Sequence, residues 1–100
     1  MKEEQQAIDS MYNGDIAIIK ECITSTIPNL VMNSIIAGVK IGLKDKEYIE
    51  KLKTNCSNKT VLMGVCLDDV AEAAFCILTN KPYLGNNLTI KSLINSNFDF

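Results

Sequence analysis

The sequence has no histidine and no arginine; all ten basic residues are lysine. Without histidine, the side chain most often used for proton transfer near neutral pH is missing. Neither a Ser–His nor a Cys–His dyad can be built. Without arginine, the forked donor favoured for phosphate and guanine is missing too. The lysines are spread among Asp and Glu, the net charge is -2 and the pI is about 5.0, a balance that speaks against nucleic-acid binding. The five glycines are scattered and make neither a P-loop nor a dinucleotide fingerprint. No apolar run approaches the roughly 18 residues that span a bilayer. The opening Met1-Lys2-Glu3-Glu4-Gln5-Gln6 is too polar for the apolar centre of a signal peptide. The expectation is a cytoplasmic protein that engages neither nucleic acid nor membrane. The four cysteines, Cys22, Cys56, Cys66 and Cys76, include no C-x-x-C pair, whereas structural zinc sites want tightly spaced ligands. Disulfides are not expected without export. The plain reading is free thiols that pack as small hydrophobes, with no cofactor.

What is present suits a small single domain covering residues 1–100: 47 % hydrophobic and 22 % charged residues are enough for a core and a solvated surface. Apolar spacing predicts a helix over 3–12, with Ile8, Met11 and Tyr12 on one face, stopped by Asn13-Gly14. Asp15 caps a second helix over 15–25, whose stripe is Ile16, Ile19, Cys22 and Ile23; a strand is the competing local reading. Pro28 suits the first turn of a third helix bearing Leu30, Val31, Ile35, Gly38 and Val39, with Gly42 as its stop. Gly38 inside that helix costs about 1 kcal/mol against Ala, which a close neighbour would explain. Asp45 caps a fourth helix over 46–55 with Tyr48, Ile49 and Leu52 as its core stripe and a favourable Glu47–Lys51 pair. The stretch from Val61 to Leu67 is ambiguous and is read as an ordered apolar loop. Asp68-Asp69 open a fifth helix to about Thr79, with Val70, Ala73, Ala74, Ile77 and Leu78 buried. Pro82 and Gly85 end it, a short helix follows around Ile90, Leu93 and Ile94, and the tail 97–100 is loose unless its two phenylalanines dock.

Helices three and five can be set against each other at an offset of 36 residues, so that Ala37, Gly38 and Ile41 meet Ala73, Ala74 and Ile77. Each follows a shorter amphipathic helix, which makes a helix pair used twice. The plainer alternative is chance similarity between two amphipathic helices. Asp69-Val70-Ala71-Glu72-Ala73-Ala74-Phe75-Cys76-Ile77-Leu78 resembles the inner helix of the HEAT-like repeat family, whose pattern is Asp-Val-Arg-x-Ala-Ala-x-x-Leu. Ala71 departs from it where that family often carries Arg. The resemblance covers roughly residues 15–80 and implies an all-α fold, an α-α superhelix of two short pairs with end helices. It also implies protein binding on the surface made by the second helix of each pair.

For chemistry, the strongest cluster is Asp68, Asp69 and Glu72. Two adjacent carboxylates at a helix start usually serve as cap and dipole partner, but a small metal-dependent or ligand-binding protein using these three is the alternative function. Cys66 lies just before a helix N-terminus, where thiol pKa falls, although two aspartates oppose that. The favoured reading is a non-enzymatic protein–protein interaction module, monomeric or weakly self-associating. Its candidate contacts are Val61, Met63, Val65, Asp68, Asp69 and Glu72. A sharper version is an immunity protein or antitoxin that neutralises a toxin. A terminal piece of a longer solenoid is a third reading.

Overall fold

The computed structural model describes residues 2–62, 64–83, 85 and 90–92, and these are mostly helical. In chain order the elements are α1 (Lys2–Tyr12), α2 (Ile16–Cys22), α3 (Pro28–Ile41), α4 (Lys46–Asn55), β1 (Val61–Leu62), β2 (Val65–Cys66) and α5 (Leu67–Leu78). Residues 90–92 are also helical and Ile90 is fully buried; Leu93, Ile94 and the tail 97–100 lie outside the described residues.

The boundaries follow local chemistry. Asp15 accepts from the Ile18 N–H at the head of α2, and Asp45 does the same for Tyr48 at the head of α4. Pro28 begins α3, where its missing N–H leaves no donor orphaned. Gly42, at φ 66°, ends α3 with the Leu43 N–H returning to the Gly38 carbonyl. The stop of α5 comes earlier than Pro82: Asn80 takes the left-handed conformation at φ 61°, and the Lys81 N–H bonds back to the Cys76 carbonyl. The second helix is shorter than expected. It ends at Cys22, and the Ile23 N–H still reaches the Ile19 carbonyl. Ile16, placed on the apolar stripe by its spacing, is instead 48 % exposed.

α3 is the centre of the molecule. It packs against α1, α2 and α5, while α4 lies on α5. Every residue from Val31 to Gly38 except Asn33 is buried, more than a single apolar stripe would hide. A chain of buried hydrogen bonds ties three helices together here. The Ser34 hydroxyl donates to the Ile19 carbonyl of α2 at 2.7 Å, and the Tyr48 hydroxyl of α4 donates to the Ser34 carbonyl at 2.9 Å. Ser34 and Tyr48 are both fully buried, and burial pushes the Tyr48 phenol well above its ordinary pKa. Among the described residues no buried side-chain nitrogen or oxygen lacks a partner, so this polar chain carries no unmet desolvation penalty.

The close neighbour of Gly38 is a ring rather than a second helix backbone. A Cβ on Gly38 would stand 2.6 Å from Cζ and 2.9 Å from Cε2 of Tyr48. The absent side chain lets the hydroxyl end of the Tyr48 ring come up against α3 and reach the Ser34 carbonyl. In the matching helix, Ala73 and Ala74 are both fully buried. α1 is attached by a polar ladder: Asn29 donates to Glu4, Asn33 donates to the Asn29 carbonyl, and the Tyr12 hydroxyl donates to Asn33. Lys40 lies 5.4 Å from the Tyr12 ring centroid, within cation–π range.

Candidate functional site

The segment from Val61 to Leu67 is not a loop. Val61–Leu62 and Val65–Cys66 pair antiparallel, with Val61 opposite Cys66 and Leu62 opposite Val65, and Leu67 already belongs to α5. The expected helical class holds in the main, and the mostly helical chain also carries this two-stranded hairpin. Its cause is legible in the residues. β-branched Val61 and Val65 favour extended backbone, and Gly64 at φ 77° supplies a conformation that other residues adopt only with strain.

The hairpin also serves as the cap of α5. Cys66, in the capping position, makes no side-chain cap hydrogen bond. Instead the Leu67 N–H donates to the Thr60 carbonyl and the Asp68 N–H to the Asn58 carbonyl, both at 2.8 Å. Two of the four donors that a helix start leaves unpaired are thus met by the segment just before β1. Asn58 fixes that strand: its side-chain oxygen accepts from the Thr60 N–H and its amide donates to Asn55. Asn55 in turn donates to the Ile23 carbonyl just past α2. Lys59 closes the base of the hairpin on Asp68, Nζ to Oδ2 2.6 Å.

This geometry sorts the six candidate contacts. Val61 points outward and is 64 % exposed, the most exposed of the large hydrophobic side chains described. Val65 turns inward with Leu62, and both pack against the core. Met63 lies outside the described residues. The Asp68 carboxylate is occupied by Lys59, with only 14 % of its side chain exposed. Asp69 is half-buried on the first turn of α5, and Glu72, one turn on, is exposed. Sequence reasoning missed Lys59 and Asn58, which hold the hairpin. The signal was present as an Asn-Lys-Thr turn leading into a β-branched run with Gly at its middle.

The electrostatics keep the site quiet. Hydrogen bonding from Cys66, and then the Lys59 ion pair, hold Asp68 below its usual carboxylate range. The same carboxylate, then burial, push the Cys66 thiol up, and the thiol reaches the Asn58 carbonyl at 3.6 Å. The helix N-terminus therefore does not win at Cys66. Burial is the main cause of the upward shifts at Cys22, Cys56 and Cys76, so all four free cysteines favour the protonated, weakly nucleophilic thiol. Burial, with Asp69 and Glu72 close by, also raises Tyr83. Among the described residues, no group of three His, Cys, Asp or Glu side chains is placed to hold a metal ion, and that includes Asp68, Asp69 and Glu72. None of the described helices is long and apolar enough to cross a membrane.

Comparison with protein-family models, with curated proteins and with solved structures gives no match. The HEAT-like resemblance therefore rests on this chain's own residues.

Proposed function

We propose that this protein is a binding module, not an enzyme, and that it meets a protein partner through the outward face of the β1–β2 hairpin. The observation that carries this reading is Val61. It is a β-branched apolar side chain, 64 % exposed, on a strand whose base is fixed by Asn58 and the Lys59–Asp68 pair. A β-branched side chain on a paired strand has few rotamers to lose on binding and gains from being covered. Glu72, exposed on the helix that the hairpin starts, would add charge selectivity at the rim.

The scaffold is read as a short HEAT-like array in which α2–α3 and α4–α5 are the two pairs. Contacts of α2 with α3, α4 with α5 and α3 with α5 support it, because stacked pairs meet through their second helices. The radius of gyration of 12.3 Å is close to the ~13 Å of a compact domain of this length. A cytoplasmic monomer, or weak homo-oligomer, that acts as an immunity protein or antitoxin is the sharper form of the proposal. The acidic balance of the sequence, net charge -2, is compatible with it.

Site-specific photo-cross-linking in the native host tests the reading. A photoreactive residue at position 61 is expected to give one discrete adduct with a second protein, and the same residue at the exposed position 50 on α4 none. Equal adducts at both positions, or none at 61, would count against the hairpin as the contact. If the partner captured is a toxin, adding the purified protein in equal amount should abolish its activity.

A further inference from the structure

We draw no further inference here: the strongest candidate, the exposed apolar side chains of Tyr12 at the end of α1, Ile16 at the start of α2 and Ile41 at the end of α3, carries nothing because nothing in the structure shows what covers them.

Discussion

The two connections that lead into the long helices α3 and α5 do the same job by different means. Residues 23–27 make a tight link: Ser25 accepts from the Ile27 N–H, and Pro28 removes a donor that would need a partner. Residues 56–66 are much longer and contain a hairpin, and the Asn58 and Thr60 carbonyls just before β1 receive the first N–H groups of α5. Each connection leaves an apolar side chain in water, Ile27 at 38 % and Val61 at 64 % exposed. A proline can start a helix with almost no surface. A hairpin starts one while building a surface, and that extra surface is where we place function.

If the two pairs are equivalent units, enlarging the small residues of either second helix should be costly. Gly38→Ala drives a Cβ into the Tyr48 ring and is expected to lower stability by about 1–3 kcal/mol, as overpacking does. Ala73→Leu, at a fully buried site, is expected to cost a similar amount. Urea denaturation measures both. The cost of Gly38→Ala should shrink in a Tyr48→Leu background, because the pair is then uncoupled. Unchanged additivity would show that the ring is not what requires glycine.

The connections themselves should differ next. Asn58→Ala removes the acceptor for Thr60 and the donor to Asn55, and a loss of about 1–2 kcal/mol is expected. Gly64→Ala should cost about 1–2 kcal/mol through its left-handed backbone. Ser25→Ala in the shorter connection gives up one exposed hydrogen bond and should cost no more than ~0.5 kcal/mol. If Ser25→Ala proved as damaging as Asn58→Ala, the contrast between the two connections would fail.

Most helix ends were legible in the sequence, because Asp15, Asp45, Pro28 and Gly42 are strong local signals that the fold obeys, but α2 stops early and α5 begins at Leu67 rather than at Asp68-Asp69. The hairpin was not. Val61 to Leu67 is a continuous apolar run with no Asn-Gly in it, so periodicity could not separate strand from loop. Ile16 misled for the converse reason: a seven-residue helix is too short for its stripe to be covered from end to end. The neighbour of Gly38 is a tertiary fact, since a glycine inside a helix announces a close approach without naming what approaches. Of the candidate site, Val61 and Glu72 are exposed, Asp69 is half-buried, and Val65 and Asp68 are taken up by core packing and an ion pair.

Acid should act on the second connection and leave the first alone. Hydrogen bonds from Cys66 and Lys59 hold Asp68 below its ordinary pKa of 3.8, whereas the side-chain hydrogen bonds of residues 23–27 join Thr24 to the Glu21 carbonyl, the Ile27 N–H to Ser25 and Asn55 to the Ile23 carbonyl, groups that do not titrate. A carboxylate with a lowered folded-state pKa contributes its full stabilisation above the unfolded value and loses it as pH falls through the folded value. Denaturation midpoints measured from about pH 6 down to about pH 3 should therefore fall toward the acid end. Asp68→Asn should flatten that fall, and a slope unchanged by the substitution would remove Asp68 from the account.

The smallest expected effect on folding belongs to the residue expected to matter most for binding. Val61→Ser, measured side by side for urea midpoint and for retention of the cross-linked partner, should leave the midpoint unchanged within about 0.5 kcal/mol and abolish retention. A variant that folds as the parent does and still retains the partner at full strength would contradict the assignment of the hairpin face as the contact.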